Sequence, residues 1–115
     1  MPLIKLTSII CECPEETDKD EIYLKFQGQK IWPGDKKFIK IDSDEELTIG
    51  LKTKITKLGW MTIELWEYDL TTSNDHLGDF HLDIESELPG TNTTILSRNK
   101  EGAERASYML NWEIL

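Results

Sequence analysis

Trp60-Met61-Thr62-Ile63-Glu64-Leu65-Trp66-Glu67-Tyr68-Asp69-Leu70-Thr71-Thr72-Ser73-Asn74-Asp75-His76-Leu77-Gly78-Asp79-Phe80 decides the fold. Its first half alternates. Met61, Ile63 and Leu65 point to one side, and Trp60, Thr62, Glu64, Trp66 and Tyr68 to the other. That period belongs to a half-buried strand, and Trp and Tyr suit its pleated surface. The polar run 71–75 then reads as a loop, and a second apolar run opens at Leu77. Acids mark the exit: Glu67 and Asp69 are expected to share a strand face, with Asp75 across the loop. Hard divalent cations take several oxygen ligands from flexible loops of this kind.

Working outward, Ile22, Leu24 and Phe26 alternate with Tyr23 and Lys25. Residues 30–32 and 38–41 are short extended pieces separated by the turn signal Pro33-Gly34-Asp35. Leu47, Ile49, Leu51, Thr53 and Ile55 give the cleanest alternation. Lys57-Leu58-Gly59 is expected to turn this strand back into Trp60 as an antiparallel hairpin. Residues 80–84 and 91–96 are further strands, and Tyr108, Leu110, Trp112 and Ile114 close the chain as another. The first strand, 3–13, alternates less cleanly, as expected if both its faces are partly covered. A short helix is expected within 100–106. The total is about eight strands with no long amphipathic helix, which argues for an antiparallel sandwich or barrel.

Composition agrees. The chain has 115 residues, 38% apolar and 30% charged, with four Trp, so residues 1–115 are expected to form one globular domain. A net charge of -9 argues against nucleic acid, whose binding depends on Lys and Arg neutralising phosphates. Residues 1–11 lack a basic leader and nothing reaches a membrane-spanning length, so a cytoplasmic location is expected. Cys11 and Cys13 are expected to be reduced thiols, since a disulfide two residues apart would strain an extended backbone.

No Gly-rich phosphate loop follows a strand, and Gly-x-Ser-x-Gly and His-Glu-x-x-His are absent, so no enzyme is expected. His76 and His81 are the two histidines and have no ligand spacing, so no zinc site is expected. His81 reads as a surface residue, and His76 as a contributor to the loop tip. The acidic run 42–46 is expected at the end of the sandwich away from Asp69. Lys52 and Lys54 share an outer strand face, where lysines also protect an edge from aggregation.

The order acid-x-Asp-x5-Asp-x-x-Gly after an apolar strand resembles the third calcium loop of the C-two domains of protein kinase C and synaptotagmin. The matching positions are Glu67, Asp69, Asp75, Leu77 and Gly78. Asp20-Glu21-Ile22-Tyr23-Leu24-Lys25 is similar to the exit of that family's first loop. The resemblance implies an all-β, antiparallel eight-stranded β-sandwich that binds calcium and meets an anionic membrane surface or a protein partner. Asp69 and Asp75 would be primary ligands, with Asp20, Glu67 and Asp18 supporting. Lys52 and Lys54 would face lipid or partner, and Leu70 would be the apolar tip. Two positions depart from the pattern: Glu67 stands where Asp is usual, and only Glu15 lies near the expected first ligand of loop one. The alternative is a metal-free interaction module. The sequence does not fix the oligomeric state.

Overall fold

The computed structural model describes residues 3–54, 59–84 and 90–115. Ten strand segments run in the order β1 Leu3–Cys13, β2 Asp20–Phe26, β3 Gln29–Trp32, β4 Ile39–Ile41, β5 Glu46–Lys54, β6 Trp60–Glu67, β7 Asp75–Asp83, β8 Gly90–Ile95, β9 Ser97–Arg98 and β10 Ser107–Ile114. They form two antiparallel sheets, β5-β1-β10-β8 and β3-β2-β6-β7-β9, with β4 also paired to β2. Segments β3 and β4 lie along successive stretches of β2 and make one interrupted edge. Segments β8 and β9 are separated by Leu96 alone and carry one strand from the first sheet to the second. Counted that way, the ten segments are the eight strands of an antiparallel β-sandwich.

The core lies between the sheets. Its largest fully buried members are Trp112 and Tyr108 of β10 and Phe80 of β7, packed with Ile4, Leu6 and Ile9 of β1 and with Ile22, Leu24, Ile63 and Leu65 of β2 and β6. Met61, Ile63 and Leu65 face inward, as their alternation requires, while Trp60 is two-thirds exposed. Trp112 keeps its indole N–H satisfied by donating to Thr94 Oγ1 at 2.9 Å, so a polar residue on the half-buried edge β8 serves the core.

Three expectations are corrected. Strands β5 and β6 do not form a hairpin: β5 pairs with β1 in one sheet, and β6 pairs with β2 and β7 in the other. The intervening residues 55–58 lie outside the described residues. Both faces of β1 are partly covered, as expected, with Leu3, Lys5, Thr7 and Ile10 half-buried, and a register shift between Leu6 and Ser8 blurs the pattern further. An extra residue changes which alternate positions point inward, so Leu6 is followed by Ile9 and Cys11 in the core. Segment 100–106 contains turns and no helix. Its N–H groups at Glu104, Arg105 and Ala106 are drawn to the Glu15 carboxylate, at 2.9, 2.8 and 3.0 Å.

The third correction moves a loop. Residues 42–45 stand at the same end as residues 14–19, because Ile41 pairs with Asp20 and β5 begins opposite Ile10. The Asp44 N–H donates to the Cys11 carbonyl at 2.7 Å, which fixes the placement. Loops 14–19, 42–45, 68–74 and 99–106 therefore emerge together, and this end gathers much of the chain's negative charge. Cys11 and Cys13 are free thiols, as expected, and burial pushes the Cys11 thiol up to about 11. Among the described residues no helix is long and apolar enough to cross a membrane.

Gly78 tests the pairing of β9 with β7. A methyl group there would collide with the Ser97 carbonyl, which is backbone and cannot swing aside. Gly78→Ala is expected to lose roughly 1–3 kcal/mol in urea unfolding. Gly34→Ala, with open space around it, should stay within about 0.5 kcal/mol of the native chain.

Candidate functional site

The acidic end is organised by Asp20. The first residue of β2, it is fully buried. Oδ2 accepts the Glu15 N–H at 2.8 Å and the Tyr108 hydroxyl at 2.5 Å, and Oδ1 accepts the Glu16 N–H at 2.9 Å. A buried carboxylate needs such donors to hold its charge. Loop 14–19 is thus folded around a carboxylate from its own far end. Burial, followed by the charge of Asp20, raises the Tyr108 hydroxyl far above its ordinary range, so it remains a donor.

Glu67 ends β6 and is buried beside Asp20. Burial, then the neighbouring charge of Asp20 and a hydrogen bond shared with it, push the Glu67 carboxyl up to about 9. Glu16 adds to the same effect. Desolvation and like charges both favour the neutral acid. At neutral pH Glu67 therefore carries its proton unless a cation stands nearby.

Asp69 is different. It lies beyond β6 in the exposed loop, so it does not share a strand face with Glu67 as the sequence suggested. Its Oδ1 accepts the Thr71 N–H at 2.9 Å, the Thr71 hydroxyl at 3.1 Å and the Thr72 N–H at 3.2 Å. These donors, the Thr71 N–H foremost, lower the Asp69 carboxyl to about 2. They leave Oδ2 outside the turn. Asn74 closes the loop by accepting the Asp69 N–H at 2.8 Å and donating to the Tyr23 hydroxyl at 2.8 Å.

A cleft of about 380 Å³ opens here, walled by Glu16, Asp18, Glu21, Glu67 and Asp69, with Lys19 at its side. Of the five expected ligands, Asp18, Glu67 and Asp69 line it, and Asp20 supports Glu67 and the loop. Asp75 pairs with Glu67 across β6 and β7 but is exposed and is not a wall of the cleft. Glu16 and Glu21 were missed. Their loop and strand ends are acidic, but only the pairing of β2 with β6 brings them to Glu67. Among the described residues, three ligand oxygens of the expected set do not fall within 4.8 Å of one another. Glu64, His76 and Asp79 do.

The expected lipid or partner residues divide. Lys52 and Lys54 are exposed on β5, but they pair with Lys5 and Leu3 at the end of β1 remote from the acidic loops. Leu70 is 85% exposed beside the cleft, as a tip residue would be. His76 is not at the loop tip. It lies in β7, its ring stacked on Trp66 at 4.8 Å. A second groove, of about 300 Å³, lies on the outer face of the β2–β6 sheet and is lined by Tyr23, Lys25, Lys30, Lys37, Tyr68 and Asn74. Lys25 Nζ stands 4.6 Å from the Trp66 ring centre, and Lys37 Nζ 5.8 Å from that of Tyr68. Tyr68 borders both grooves.

The raised Glu67 carboxyl sets a pH dependence. Between the ordinary value of 4.5 and about 9, the folded chain holds a proton that the unfolded chain lacks. Stability then falls as pH rises. This contribution is complete below about 4.5 and lost as pH climbs towards about 9. In chelator, the thermal midpoint of Glu67→Gln should rise relative to the native chain across that window. A constant difference would remove the proton from Glu67. Separately, Asp20→Ala strands the Tyr108 hydroxyl and two N–H groups and should cost about 3 kcal/mol or more in urea unfolding.

No protein-family model and no curated protein matches this chain, so the chemistry of the acidic end rests on its own residues.

Proposed function

We propose that this chain is a non-enzymatic β-sandwich module that takes calcium in the acid-lined cleft and so docks on an anionic membrane surface. The carrying observation is Glu67, buried against Asp20 at the floor of a cleft that also presents Glu16, Asp18 and Asp69. Among the described residues, no Lys or Arg forms an ion pair with any of these carboxylates. A set of carboxylate oxygens on two loops is the chemistry of a hard cation. Calcium entering the cleft would displace the Glu67 proton and relieve the repulsion among the acids. The likeness of Glu67 and Asp69 to the matching positions of a C-two calcium loop supports the same reading.

Docking follows from charge and shape. Without a cation the carboxylates of the cleft repel anionic lipid; with calcium that barrier falls, and exposed Leu70 stands ready to enter the interface. Lys25 and Lys37 on the adjoining groove add positive charge beside it. They replace Lys52 and Lys54 in this role, because they share Tyr68 with the cleft. The domain is taken to work in the cytoplasm, where Cys11 and Cys13 stay reduced.

A second reading has its own support. Asp20 already receives three donors from the protein, so loop 14–19 is held without any ion. That arrangement suits a metal-free module that docks on a protein partner.

Thermal unfolding separates the two. A ligand that binds only the folded state raises stability by about 2.7 kcal/mol at a hundredfold excess over Kd. Calcium should raise the midpoint of the native chain and leave Asp18→Asn/Asp69→Asn unmoved. With calcium, the native chain should sediment with phosphatidylserine vesicles, and Lys25→Glu/Lys37→Glu should weaken this. No thermal shift at millimolar calcium leaves the metal-free module. A shift without vesicle binding moves the partner from lipid to protein.

A further inference from the structure

Glu64 of β6 and Asp79 of β7 are directly paired across the outer face of their sheet. Like charges in that position destabilise a sheet. Among the described residues no Lys or Arg forms an ion pair with either one. The group between them is His76, whose Nε2 lies 2.8 Å from Asp79 Oδ1 and 3.9 Å from Glu64 Oε1. One nitrogen and two carboxylate oxygens thus lie within 4.8 Å of one another, all on partly exposed side chains.

The backbone is built to bring them together. Residues three apart on a regular strand point to opposite faces, so His76 and Asp79 should not meet. A register shift between Leu65 and Trp66 pairs Gly78 with Leu65 but His76 with Trp66, leaving Leu77 as the extra residue. Leu77 and Gly78 are consequently both buried, and His76 emerges on the same face as Asp79. Bulges of this kind re-aim side chains. Trp66 then fixes two of the three groups. Its ring lies on the imidazole at an interplanar angle of 10°, and its Nε1–H donates to Glu64 Oε1 at 3.0 Å. Outer supports that orient ligands are a regular part of metal sites.

We propose that Glu64, His76 and Asp79 form a transition-metal site, with Zn2+ its foremost occupant and water completing the coordination. Tetrahedral zinc, with bonds of about 2.0–2.2 Å, sets its ligand atoms roughly 3.4 Å apart. The two separations around Nε2, 2.8 and 3.9 Å, bracket that value and need only small rotations. An imidazole nitrogen selects a borderline dication over calcium. This site lies on the sheet face and is independent of the calcium reading of the cleft. Its ligand spacing is invisible in the sequence, because it depends on the bulge and on the cross-strand pairing.

The test is calorimetric titration of ZnSO4 into chelator-stripped protein, with and without millimolar calcium. The native chain should bind one Zn2+ at micromolar concentration, unaffected by calcium. His76→Ala and Asp79→Asn should each weaken it by about tenfold or more. Thermal midpoints in chelator establish that each variant is folded, and the isosteric Asp79→Asn carries the test if His76→Ala is not. No binding by the native chain would overturn the assignment and leave His76 as a hydrogen-bond partner of Asp79. Undiminished binding in the folded variants, or displacement of zinc by calcium, would overturn it by moving the ion to the acidic cleft.

Discussion

Two carboxylates buried side by side, with no basic residue paired to either among the described residues, set the character of one end of this sandwich. Asp20 is made tolerable by hydrogen bonds, and in accepting them it folds loop 14–19 about itself. Among the described residues Glu67 has no comparable set of donors, and burial beside Asp20 favours its neutral form instead. One acid thus shapes the scaffold and the other is left responsive to whatever cation arrives. Glu15 carries the arrangement further: its N–H is committed to Asp20, while its carboxylate gathers three N–H groups of the 99–106 loop. Loops 14–19 and 99–106 are therefore tied to one another by a side chain rather than by sheet hydrogen bonds.

The fold was largely legible because the period-two pattern survives in β6 and β10. Met61, Ile63 and Leu65, like Tyr108, Leu110 and Trp112, are buried as their spacing demands. The errors fall where local pattern carries no long-range information. A turn signal at 57–59 cannot say whether the next strand returns to the same sheet, and here it crosses to the other. The acidic loop 42–45 was misplaced because β4 has only three residues, too few for its direction to be read. Lys100 to Ala106 looked helical, but Glu15, far away in sequence, claims its N–H groups.

The site was legible in outline only. The spacing of Glu67 and Asp69 located the cleft, and Asp18 joins them there. Nothing in the sequence shows that Asp20 is already satisfied, since its donors are two backbone groups and a tyrosine from the last strand. Nor does spacing show that Asp75 stands outside the cleft. The aromatic face was half visible: outward Trp66 and Tyr68 were evident, but not their packing with His76 and Phe38 or the lysines above them. Cross-strand neighbours follow from register, and register follows from bulges that no local period reveals.

The most direct measurement of the central claim is a two-dimensional amide NMR titration with calcium. The account predicts shifts concentrated at residues 16–19 and 67–70, around the cleft, with the amides of β10 unmoved. Weak changes scattered over exposed acids such as Glu101 and Glu104, or no change at millimolar calcium, would contradict it.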